Sequence, residues 1–265
     1  MKTLLTILLC SFVLTIYAKS PEKKIKKVND DYFTSIFTID KSSKQKDGEY
    51  FKIKTHSSDT LVYGRYTNDK KSGLWKYKGA GNKDYISYNY DNQAIEYLSP
   101  SISKIDSFYI KSENEGVYLL GKVDSPPIYL GYQGEIKALF DHNVKVPVEE
   151  MARGLNGTSV ASFIIDLNGK IKDIKVERSI NKNFDKMMIN TINIIDSDWI
   201  PAKVKNTLTE SKMLILVQVS NSSVKSNVKN KPYQIAINLN YFGVQRTYSV
   251  SRTVSVPAGS KPGSF

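Results

Sequence analysis

The chain has 265 residues, a hydrophobic fraction of 40%, a formal net charge of +12 and one cysteine. That length can bury the core of one large or two modest domains, and a single cysteine excludes both a disulfide framework and a thiolate metal site. The charge comes from Lys spread along a Lys-, Asn- and Ile-rich chain with few Arg and with no nucleic-acid-binding motif, so it reads as composition and not as a nucleic-acid interface.

At the start, Lys2 is followed by an uncharged, mostly apolar run over residues 4–17, and Ile16-Tyr17-Ala18 fits a small-residue cleavage site. Residues 3–18 are fewer than the ~20 needed to span a bilayer, which favours a cleaved signal peptide (1–18) over a retained tether. The expected location is therefore the periplasm or the exterior. Cys10 lies inside the apolar run; lipidation there is disfavoured because Leu9 stands where a small residue is usual. Residues 19–27 carry Lys23-Lys24-Ile25-Lys26-Lys27 and read as a solvated basic leader, with contact to anionic lipid as the alternative.

Residues 28–123 are rich in Tyr, Phe, Ile and turn formers and predict a mostly antiparallel β domain. Lys46-Asp47-Gly48-Glu49-Tyr50 is echoed by Lys71-Ser72-Gly73-Leu74-Trp75, with Gly64-Arg65-Tyr66 between them. Each unit is expected to be a hairpin with glycine at its turn and aromatics stacked on the next unit. Tyr50, Tyr66, Trp75 and Tyr77 are then either hairpin core or a platform for a glycan or peptide. Asp124-Ser125-Pro126-Pro127 predicts a domain boundary, since two prolines interrupt helix and central strand alike.

Residues 135–143 (EIKALFDHN) predict a short amphipathic helix. A β-β-α-β unit follows. Its first strand is 158–165, its turn Asp166-Leu167-Asn168-Gly169, and its second strand 171–176. Phe184, Met188, Ile192 and Ile195 recur at helical spacing over 183–195, and the final strand is 213–219. After residue 220 the chain predicts a polar linker, a hairpin opening with 233–241, and a flexible tail to 265. Ile235, Ile237, Leu239 and Tyr241 share one face of that hairpin's first strand.

Several motifs in this order resemble a known family. Pro126-Pro127-Ile128-Tyr129-Leu130-Gly131, Val146-Pro147, the run from Gly157 through Val160, Phe163, Asp166 and Gly169 to Ile171, and Trp199-Ile200-Pro201-Ala202 together resemble the TonB C-terminal domain. The stretch before it resembles a degenerate MORN-type repeat. The expected fold is α+β: a TonB-like module (124–220) with its helix packed on an antiparallel sheet, preceded by a MORN-like β domain (28–123) and followed by 221–265. The resemblance implies binding by strand addition, in which an outer-membrane receptor segment pairs beside Met213, Leu214, Ile215, Leu216, Val217, Gln218 and Val219. The chain carries no long Pro-rich spacer, which separates it from a full energy transducer. The alternative is an envelope or secreted binding protein that uses the fold as a scaffold and the aromatics as its site.

Nothing in the sequence points to an enzyme or to a cofactor. His56 and His142 have no partner at ligand spacing. Asp166 belongs to a turn, and Glu149-Glu150 read as solvated residues and not as a paired acid–base device.

Overall fold

The structure is a computed structural model that describes residues 22–30, 32–55, 57–114, 116–195, 198–221 and 234–241. The signal-peptide reading, Cys10, His56, the linker and the tail lie outside the described residues. The fold is α+β with mostly antiparallel sheets. The chain divides into two compact units: residues up to 104 with 129–135, and 105–128 with the residues from 136 onward.

In the first unit, short turns return each strand beside its predecessor. Seven strands follow in sequence order: β1 (Lys23–Asn29), β2 (Phe33–Asp40), β3 (Lys46–Lys54), β4 (Thr60–Thr67), β5 (Lys70–Lys78), β6 (Asp84–Asn89) and β7 (Ala94–Leu98). A short helix, α1 (Pro100–Ser103), closes the unit. The expected solvated leader is thus partly ordered, because Lys23–Asn29 pairs with Asp40–Thr34 as an edge strand while all its side chains stay exposed. Glycine does not make the β4–β5 turn. Asn68 (φ 49°) and Asp69 (φ 63°) do, both in the left-handed region that a two-residue hairpin loop requires. Gly48 and Gly73 lie inside β3 and β5 instead.

The division falls after Lys104, not at the double proline. The strands β8 (Ser107–Lys111) and β9 (Tyr118–Lys122) therefore belong to the second sheet, where Tyr109 and Ile110 pair with Lys212 and Ser211. Pro126 and Pro127 are buried. Beside them Asp124 N–H donates to the Lys203 carbonyl at 2.8 Å and Ser125 bridges Lys203, so this stretch is an extended packed segment and not a linker.

The chain then runs through β10 (Ile128–Tyr129), α2 (Glu135–Asn143) and α3 (Val148–Ala152). Next come β11 (Gly157–Ile165), β12 (Ile171–Arg178), α4 (Lys182–Asn193), β13 (Trp199–Ile200), the β14–β15 hairpin (Ala202–Val204, Thr207–Thr209), β16 (Ser211–Asn221) and β17 (Gln234–Tyr241). The six-stranded sheet runs β12-β11-β16-β8-β9, with β17 also on β16. Helix α4 starts at Asn181, whose side chain accepts from Phe184 N–H at 2.9 Å. It buries Phe184, Met188, Thr191 and Ile192 and packs toward β11 and β12. Phe163, Ile165, Ile215 and Val217 on the sheet are likewise fully buried. Asp173 (φ 50°) is a bulge in β12: Lys172 pairs with Ile164 but Lys175 with Ser162. The extra residue explains why Ile171 and Ile174 break strict alternation in the sequence.

The turn before β12 and the Trp199 strand need each other. Gly169 (φ 72°) accepts the Trp199 N–H at 3.3 Å through its carbonyl, and a Cβ on Gly169 would collide with the Trp199 carbonyl oxygen. Trp199 itself is 6% exposed and meets Phe163 edge-on at 6.0 Å.

Candidate functional site

The predicted partner-binding strand is real, but it is not an open edge. In β16, Met213, Ile215, Val217 and Val219 are buried, whereas Leu214, Leu216 and Gln218 are half-buried on the opposite face. One side of β16 pairs antiparallel with β11 from Ser211↔Ile165 to Val219↔Gly157. The other side is divided. Ser211 and Lys212 take β8, and Leu214 to Asn221 take β17 in parallel, with Leu214↔Gln234, Val217↔Ile237 and Asn221↔Tyr241. The expected pairing of a receptor segment beside this strand meets an edge that is already taken, because the chain's own β17 lies where an added strand would. Sequence alone makes 233–241 the start of a hairpin, since alternation does not reveal parallel pairing across a long connection.

The shared face read for β17 does hold. Ile237 and Tyr241 are buried and Ile235 and Leu239 half-buried, while Asn238 and Asn240 are exposed on the other face. Two side-chain bonds fix its end: Tyr241 Oη donates to the Leu155 carbonyl at 2.9 Å, and Ser220 Oγ donates to Asn240 Oδ1 at 2.8 Å. Beside it lies a cleft of about 300 Å³ lined by Val144, Val146, Met151, Leu239 and Tyr241 among others.

A second feature sits on the outer face of the same sheet, and the sequence reading missed it. Glu210, whose side chain is 12% exposed, accepts from Lys172, from Lys111 at 3.2 Å and from Tyr118 Oη at 3.1 Å. The Lys172 ammonium, then those of Lys111 and the Tyr118 hydroxyl, hold its carboxyl below the usual range against the opposing effect of burial. Burial and the same carboxylate push the Tyr118 phenol up. Next to it Glu177 accepts from Lys212 and from Ser162 Oγ at 2.7 Å, and is lowered by them in that order. The cleft they border has a volume of about 230 Å³. Its charges face one another, so its evident work is to tie β8, β9, β12 and β16 together. The bulge at Asp173 contributes by putting Lys172 and Lys175 on one face.

The predicted ligand platform is mostly core. Tyr50 (9% exposed), Trp75 (1%) and Tyr77 (1%) are buried, and Tyr66 is half-buried. Trp75 stacks on Tyr50 at 5.4 Å and on Tyr77 at 6.1 Å, and Tyr66 closes edge-on at 5.2 Å. The two equivalent lysines of the repeat cap this ladder: Lys46 Nζ lies 4.7 Å from the Tyr66 centroid, and Lys71 Nζ 4.9 Å from that of Trp75. A sugar or base needs an open ring face, and three of these four rings do not offer one.

Asp166 performs turn chemistry, accepting from Asn168 N–H and Lys170 N–H at 2.8 Å. Glu149 is exposed, and Glu150 lies 3.7 Å from Arg153. Among the described residues no cluster of His, Cys, Asp and Glu could hold a metal, and no helix is long and apolar enough to cross a membrane. No protein-family model, curated protein or solved structure matches the chain.

Proposed function

We propose that this protein is a cell-envelope interaction module that works by main-chain strand pairing, as its resemblance to the TonB C-terminal domain implies. Its partner class is an extended segment of an outer-membrane receptor or another envelope protein. The second unit is the working part, and the first is a structural companion with its aromatics in its own core. One observation carries the reading: β16 accepts an extended segment in parallel along Leu214–Asn221, with alternate side chains buried and the main chain supplying the ladder. The order strand, strand, helix, strand over β11, β12, α4 and β16 agrees with the same reading.

The test is site-specific cross-linking in cells. A photoreactive residue is placed at Leu216, at Ala236 or, as a control, at Tyr63 on the first sheet. The module reading expects adducts from Leu216 or Ala236 to one outer-membrane protein, mapping to an extended stretch of it. Adducts from Tyr63 alone, or none at any position, would overturn the reading.

A further inference from the structure

We infer that the β16 edge from Leu214 to Asn221 is an exchangeable groove and that β17 is its resident occupant. The partner that fits this groove is an extended segment, parallel to β16, with apolar side chains at alternate positions. This inference rests on the strand-pairing reading and adds two things to it: the direction and pattern of the partner, and a competitor within the chain.

Three observations support it. Among the described residues β17 pairs with β16 alone, so one strand's worth of hydrogen bonds holds its backbone. Its burial follows the pattern of a bound peptide more than that of a central strand. Ile237 (0% exposed) and Tyr241 (5%) are anchors, Ile235 and Leu239 are half-buried, and Asn238 and Asn240 face solvent. Third, β17 does not fill its surroundings. The cleft of about 300 Å³ along Asn238–Tyr241, lined by Val144, Val146 and Met151 and also by Asp141 and Lys145, leaves room beside Leu239 for a larger side chain. A partner with Met or Phe at that position would gain contacts that β17 forgoes.

The sequence joining the two strands fits exchange. Residues 222–233 are dominated by Ser, Lys and Asn, which offer little apolar surface to fasten β17 in place. A tethered strand competes at an effective concentration on the order of millimolar. A free segment at micromolar level is therefore excluded unless it binds better or β17 is first released.

The probe is a labelled synthetic peptide of residues 234–241 (QIAINLNY), read by fluorescence anisotropy on the full chain in a Cys10→Ser background. Two variants bracket the groove. Ile237→Asn removes an anchor and frees the edge. Leu216→Cys with Ala236→Cys joins half-buried neighbours in register and locks the edge when oxidised. The expected result is peptide binding at least ~10-fold tighter by Ile237→Asn than by the parent, none by the oxidised pair, and recovery of parent behaviour on reduction. A peptide with Leu239→Phe should bind Ile237→Asn more tightly still.

Hydrogen exchange on the unmodified chain provides a measurement that needs no variant. The amides of β17 should exchange about 100-fold faster than those of β11, since local opening releases an edge before the core. The inference is overturned if β17 and β11 are equally protected, if folded Ile237→Asn takes up no peptide, or if the oxidised pair binds as well as Ile237→Asn. Cross-linking of an envelope protein through a photoreactive residue at Asn238 of β17 in the oxidised pair would leave strand pairing standing and sink the exchange alone.

Discussion

Gly64→Ala tests how the first sheet is built. Gly64 pairs with Tyr50 across β3 and β4, and the space over its Cα is filled by the Trp75 indole. A Cβ there would come within 2.1 Å of Cδ2, 2.3 Å of Cε2 and 2.6 Å of Cγ of that ring. The ring cannot move aside: it stacks on Tyr50 and Tyr77, meets Tyr66 and Tyr90 edge-on, and donates from Nε1 to the Arg65 carbonyl at 3.1 Å. One methyl should therefore cost about 3 kcal/mol, the upper end for an overpacked core. Trp75→Leu alone should cost about 3 kcal/mol by truncation. In the double variant the leucine vacates the space the methyl needs, so the pair should be less destabilising than the sum by about 1–3 kcal/mol. Urea unfolding followed by far-UV circular dichroism measures all four corners of the cycle. If the units melt in two steps, the shifts must fall in one of them. Additivity within about 0.5 kcal/mol, or a cost for Gly64→Ala below about 1 kcal/mol, would refute this packing argument.

Three further outcomes are expected. Trp199→Ala should cost about 3–5 kcal/mol in urea melts, because the side chain is buried against Phe163 where Gly169 meets its backbone; a loss under about 1 kcal/mol would contradict that burial. Glu210 has a native pKa held below its unfolded value, so its contribution is complete above the ordinary glutamate range and fades as pH falls below 4.5 through the native value. Glu210→Gln should destabilise the chain by about 1–2 kcal/mol at pH 7, since its lysine partners are partly exposed, and should flatten the acid limb of a stability–pH curve; an unchanged limb would show that the cluster does not titrate as argued. Tyr241→Phe removes the bond to the Leu155 carbonyl and should cost about 1 kcal/mol while speeding exchange of the β17 amides, which hydrogen–deuterium mass spectrometry reads directly.

How much of this was legible in the sequence depended on how local the signal was. The apolar period of Phe184, Met188 and Ile192 marks α4 because a helix face is written in one short run. Gly169 and Trp199 were both singled out, although only the fold brings the two backbones together. The β12 bulge was invisible as a bulge; its trace was the three-residue gap between Ile171 and Ile174. Non-local partners were the real losses. Nothing in residues 105–123 says that β8 joins β16 and not β7, and nothing in 233–241 says parallel. Glu210 was missed because its partners, Lys111, Tyr118 and Lys172, come from three distant strands. A lone Glu just before an apolar strand is the only local hint.

Two of the sheet edges hold part of the positive charge. A free strand edge invites another strand, and lysine is a common deterrent. β1, one of the two edges of the first sheet, carries Lys23, Lys24, Lys26 and Lys27 with all its residues exposed. β12, an edge of the second sheet, carries Lys172, Lys175 and Arg178. β17 has neither lysine nor arginine: its outward residues are Ala236, Asn238 and Asn240, and its inward ones are apolar. At β1 and β12 charge thus discourages adventitious pairing, whereas β9 carries only Lys122 and β7 and the strand lying on β16 carry no lysine or arginine. The basic excess that composition alone left without a role is, for these positions, the chemistry of keeping edges single. A groove meant to hold an extended segment is better served by an occupant that buries two anchors and presents amides to water than by one that repels every strand alike.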